Sequence, residues 1–71
     1  MMTRVGLIVE LDKDGLVIVQ DTSTKNHFAF TFDKIKGYRG ETAREIGLRE
    51  GRRMQFDADG KQVSNAELIV G

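Results

Sequence analysis

Apolar residues recur at Val5, Leu7, Val9 and Leu11, with Arg4, Gly6 and Glu10 between them. Thr3 to Leu11 therefore carries the period-two alternation of a β-strand, interrupted at Ile8. Asp12-Lys13-Asp14-Gly15 follows, and its Asp-Gly pair between two apolar runs predicts a tight turn, because glycine accepts positive φ. Leu16 to Gln20 reads as a second strand. It is apolar at every position from Leu16 to Val19, so it is either covered on both faces or presents Leu16 and Ile18 as a patch. Residues 21–26 are polar without periodicity and predict a loop. His27-Phe28-Ala29-Phe30-Thr31-Phe32 then alternates large and small residues as a third strand. Gly37 and Gly40 bracket Tyr38-Arg39, and residues 41–46 alone favour a helix, stopped by Gly47. Residues 52–56 alternate again, Asp59-Gly60 marks a second turn, and a last strand is expected from Val63 to Val70.

Five short strands with one small helix between the third and fourth predict an all-β fold. The expected architecture is a five-stranded Greek-key barrel of the oligonucleotide/oligosaccharide-binding (OB) type, with a small SH3-like barrel as the alternative. Strand parity puts Phe28 and Phe30 together on one face of the third strand. The 71 residues fit one domain, 1–71, and so short a chain buries only roughly 60% of its unfolded surface. Marginal stability or self-association is the expected consequence.

Charge narrows the functional classes. Eleven Lys and Arg balance eleven Asp and Glu, which excludes the heavily basic footprint of a strong nonspecific nucleic-acid binder. The balance does not hold locally, however. Residues 34–53 carry Lys34, Lys36, Arg39, Arg44, Arg49, Arg52 and Arg53 against Glu41, Glu45 and Glu50, while each flanking part is net negative. This segment either tracks a phosphate backbone or forms a solvated face laced by pairs such as Glu41 with Arg44 and Glu45 with Arg49. With no cysteine there is neither a disulfide framework nor a thiolate metal site, and the single histidine, His27, makes no zinc site or catalytic triad alone. No metal, no cofactor and no enzymatic activity are expected. The longest apolar run, Leu16 to Val19, is far below the ~20 residues that span a bilayer, and the opening residues show no signal-peptide core. A cytoplasmic protein without a membrane partner is the expectation.

Read in order, several segments resemble the cold-shock domain family. Gly6-Leu7-Ile8 resembles its opening Gly-x-Val, and residues 15–19 its Gly-Phe-Gly-Phe-Ile. Residues 28–35 are similar to its Val-Phe-Val-His-Phe-Ser-Ala-Ile, Leu48 to Gly51 with Met54-Gln55-Phe56 to its Leu-x-x-Gly followed by Val-x-Phe, and residues 62–66 to its Gln-Ala-Ala-Asn-Val. The likeness covers nearly the whole chain, with residues 38–51 several positions longer than the bacterial pattern. It implies an OB fold that binds single-stranded RNA or DNA without catalysis, through aromatics on strands two and three that stack on bases. At the matching positions this chain has Leu16 and Ile18 for two phenylalanines, Ala29 for a third, Thr31 for the histidine, Glu10 for the strand-one tryptophan and Val9 for its lysine. Phe32 and Tyr38 keep an aromatic, whereas Phe28 and Phe30 match the family's core valines, so the resemblance implies that they are core.

The resemblance thus implies an interface in which Phe32 and Tyr38 stack bases beside Leu16 and Ile18. Lys34, Lys36, Arg39, Arg52 and Arg53 would contact phosphates, and Thr31 with Gln62 would offer hydrogen bonds to base edges. The competing expectation is a protein-interaction or homodimerising module that uses Leu16, Ile18 and Ala29 as an aliphatic face. A further alternative has residues 40–47 folding back to cover that face, burying Ile46 or Leu48.

Overall fold

In the computed structural model, which describes residues 2–69, the chain forms five strands and one short helix: β1 (Met2–Asp12), β2 (Leu16–Asp21), β3 (His27–Thr31), α1 (Ala43–Ile46), β4 (Arg53–Asp59) and β5 (Gln62–Leu68). A single 3-10 turn, Phe32–Lys34, follows β3. The fold is all-β, as expected. The strands pair antiparallel in the order β3-β2-β1-β4-β5 and the sheet curls toward a barrel. Its two ends meet just beyond β3, where Ile35 bridges Ala66 in parallel and the Lys36 amide donates to the Ala66 carbonyl at 2.8 Å.

Alternation decides what points inward. Val17, Val19 and Asp21 on β2, Phe28 and Phe30 on β3, and Met54, Phe56 and Ala58 on β4 are buried. Phe56 sits at the centre, its ring centroid 5.3 Å from Phe28 and 6.4 Å from Phe30 in tilted arrangements. Beside it the strands approach so closely that a Cβ on Gly6 would lie 2.9 Å from the Gln20 carbonyl oxygen and 3.2 Å from the Phe56 ring. Glycine is required there by space.

β1 departs from the simple reading of its sequence. The register shifts between Ile8 and Glu10, a bulge that leaves Val9 unpaired and reverses parity. Ile8, the residue that interrupts the alternation, pairs with Val19 before the bulge and is the buried one, whereas Leu7 and Val9 are 38% and 39% exposed, and past the bulge Leu11 turns inward opposite Val17. Element boundaries also move. Phe32 leaves β3 for the 3-10 turn, and β4 runs on through Ala58 to Asp59 because alanine suffices to fill the inward position next to the turn. β5 begins at Gln62 and ends at Leu68, and Val70 lies outside the described residues.

The polar 21–26 segment is a built turn. Asp21 is 2% exposed, and its carboxylate accepts from the Ser23 amide at 2.7 Å, the Thr24 amide at 3.1 Å and the Arg4 guanidinium at 2.9 Å. Arg4 also lies over the Phe28 ring, 5.9 Å from its centroid. Burial alone would push the Asp21 carboxyl up, but the two amides and the guanidinium outweigh it and hold the group below its ordinary value.

Candidate nucleic-acid interface

Because β2 and β3 bury alternate residues, the remaining ones share the opposite face. Their register pairs Leu16 with Thr31, Ile18 with Ala29 and Gln20 with His27. On the other side of β2, Ile18 faces Glu10 and Leu16 faces Asp12 of β1. Leu16 and Ile18 are half-buried, while Ala29 and Thr31 are exposed.

A cleft of about 380 Å³ opens at the β3 end of this face. Leu16 and Ala29 form its outward apolar wall, with Phe30 and Val63 reaching it from the core. Thr31 and Lys34 enter from the end of β3 and the 3-10 turn, and Lys61 with Gln62 enters from the β4–β5 turn across the gap. That turn is fixed by Gly60 at φ 63, which carries the chain from Asp59 directly into Gln62. The Thr31 hydroxyl donates to the Asp33 carboxylate. Among the described residues the one ion pair is Arg4 with Asp21, so neither lysine in the cleft is neutralised by a carboxylate.

The structure thus brings Leu16, Thr31, Lys34 and Gln62 into one concavity and adds Ala29 and Lys61. Lys61 is not among the residues expected from the sequence, because only the approach of the β4–β5 turn to the end of β3 brings it to the cleft. Ile18 lies one outward position beyond Leu16 and does not line the cleft. The Lys36 side chain is exposed and its backbone serves the closing bridge. Arg39 is exposed, its amide donating to Glu41, and Arg53 is exposed on β4 opposite Leu7. Arg52 is half-buried and donates to the Gly47 carbonyl at 3.2 Å, outside the cleft.

Phe32 and Tyr38 form a pair of their own. Their centroids are 6.1 Å apart at 77°, edge to face, and both rings pack against the rim of the core. The concavity they share is lined by Asp12, Asp14 and Glu41 against Lys13 and Arg44, a mixed lining with a slight acidic excess that gives a passing phosphate no net attraction. Residues 40–47 contribute nothing to the cleft lining. Leu48 is buried and Ile46 half-buried against the core, so the longer segment packs there and leaves Leu16 and Ala29 lining the open cleft.

Among the described residues no group of His, Asp and Glu is arranged to hold a metal ion, and no helix is long and apolar enough to cross a membrane. No protein-family model, curated protein or solved structure matches the chain.

Proposed function

We propose that this chain is a noncatalytic, cytoplasmic module of the cold-shock type that holds single-stranded RNA or DNA in the cleft beside β2 and β3. The carrying observation is the convergence of Lys34 and Lys61, both without a carboxylate partner, on an apolar wall of Leu16 and Ala29 flanked by Thr31 and Gln62. Ammonium groups on either side of an apolar surface suit a strand whose phosphates face the lysines and whose bases and sugars lie on the wall. Thr31 and Gln62 supply donors and acceptors for base edges. The strand order and the parallel contact of Ile35 with Ala66 support a Greek-key barrel of the OB type.

The outward wall is aliphatic, so binding forgoes the ~1–3 kcal/mol per base that an aromatic platform contributes. Phe32 follows Thr31 in the chain, but its pair with Tyr38 lies outside the cleft. Affinity is accordingly modest and strongly salt-dependent. An NMR titration with a short pyrimidine-rich strand at ~50 mM salt should shift Leu16, Ala29, Thr31 and Gln62, and the shifts should fade at ~200 mM. Replacing Lys34 and Lys61 with alanine should flatten the salt dependence by roughly 0.7 per lysine. Absence of shifts in the cleft at the lower salt removes the reading.

One observation favours a second reading, a homodimer through the sheet. Leu7 continues the outward face at the position opposite Gln20, and Val9 is exposed at the bulge beside it. Ile18→Lys separates the two: it dissolves a concentration-dependent dimer, but leaves oligonucleotide binding unchanged or slightly tighter.

A further inference from the structure

The helix and the turn after it enclose a second concavity, about 590 Å³, that shares no lining residue with the cleft. Three of its lining residues are Arg44, Arg49 and Arg52, and none is acidic. Ala43 and Leu48 supply its apolar part, Leu48 being 5% exposed. The local fold explains how three arginines gather here. Gly47 adopts φ 92 at the end of α1, and its amide and that of Leu48 both donate back to the Ala43 carbonyl, reversing the chain. The Arg52 amide then donates to the Arg49 carbonyl, which brings both residues beside the end of the helix.

By composition this segment should neutralise itself, since Glu41, Glu45 and Glu50 are interleaved with the arginines. Two of those carboxylates are otherwise engaged. Glu45 closes a capping box, accepting from the Thr42 amide at 3.0 Å, and Glu41 accepts from the Arg39 amide. Glu50 is exposed and does not line the concavity. Among the described residues Arg44 and Arg49 have no ion pair, and both are exposed. Arg52 satisfies the Gly47 carbonyl, whose partial negative charge would otherwise repel an anion.

We infer that this concavity is a phosphate-anion site for the terminal phosphate of a nucleotide or of a nucleic-acid strand. A phosphate dianion presents enough oxygens and charge for several guanidinium forks at once, whereas a carboxylate offers two oxygens and a single charge. The apolar floor reduces the screening that weakens such pairs on open surface. The site stands independently of the cleft, so free phosphate alone can test it.

The experiment is a titration of the labelled full chain with inorganic phosphate, with sodium chloride at equal ionic strength as the control. Saturable shifts at residues 43–52, absent with chloride, are expected. The double variant R44Q/R49Q, altered only at exposed side chains, should weaken phosphate binding by about tenfold or more. Shifts that chloride reproduces, shifts that persist in the variant, or no shifts at all overturn the assignment. Comparing a 5′-phosphorylated mononucleotide with a short strand, with and without its terminal phosphate, identifies the source. Preference for the phosphorylated strand assigns the site to a strand end, and equal binding of the mononucleotide assigns it to free nucleotides. The cleft titration with unphosphorylated strand is scored at different residues, so either site can fail alone.

Discussion

The turn after β2 and the turn into α1 use one device in two settings. In both, a carboxylate accepts backbone amide protons from residues two or three positions away: Asp21 from Ser23 and Thr24, Glu45 from Thr42. The first carboxylate is buried and also takes an arginine from the neighbouring strand, so it ties the loop to the core. The second is exposed and takes no arginine, so its capping role leaves Arg44 and Arg49 unneutralised. The difference is where the nearest guanidinium can reach. Arg4 is half-buried on β1 and directed at Asp21, whereas Arg49 lines the concavity beside the helix and Arg44 lines both that one and the concavity beside Phe32 and Tyr38.

The comparison breaks most visibly at Asp21. Asp21→Ala strands a half-buried guanidinium and two amides, and should cost about 2–4 kcal/mol in denaturant unfolding, near the limit for so small a domain. Acid offers a reversible version of the same experiment. Because the folded Asp21 carboxyl is held below its ordinary value, its stabilisation is present above that value, near pH 3.8, and is lost as the pH falls through the lower folded one. Glu45, held down by hydrogen bonds from the Thr42 amide and hydroxyl, and Asp57, by Asn65 and Thr3, act in the same direction, but Glu45 is exposed and Asp57 only half-buried. Unfolding midpoints measured from pH 6 to 2 should therefore drop below about pH 4, and Asp21→Asn should flatten much of that drop. At the other turn effects are smaller. Thr42→Ala removes the cap and should cost about 0.5–1 kcal/mol, whereas R44Q/R49Q should stay within about 0.5 kcal/mol of the parent by thermal unfolding.

The sequence carried the inward faces of β2 and β3 through plain alternation, and the two Asp-Gly turns through backbone chemistry. It misled at β1, since Val5, Leu7, Val9 and Leu11 share a period but a bulge at Val9 divides them between faces. No glycine marks this bulge, so parity across it is settled by pairing with β2. The start of α1 was encoded in Thr42-Ala43-Arg44-Glu45, a capping-box spacing, one residue inside the stretch expected to be helical. At the cleft, Leu16, Thr31, Lys34 and Gln62 were accessible from the family resemblance. Lys61 was not, because its role depends on a turn facing a strand more than thirty residues earlier in the chain. The expected pairs of Glu41 with Arg44 and Glu45 with Arg49 do not form among the described residues. Helical spacing permits them, but backbone amides within three residues claim both carboxylates first.

The parallel contact of Ile35 with Ala66 gives the sheet a seam rather than a full ladder. The cleft lies along that seam, with Thr31 and Lys34 on one lip and Lys61 and Gln62 on the other. If the cleft holds a nucleic-acid strand as proposed, a ligand gripping both lips would stitch the seam, and occupancy and closure would become one equilibrium. Ligand would then raise the melting temperature with the logarithm of its concentration, and any substitution that loosens the seam would weaken binding without touching the ligand.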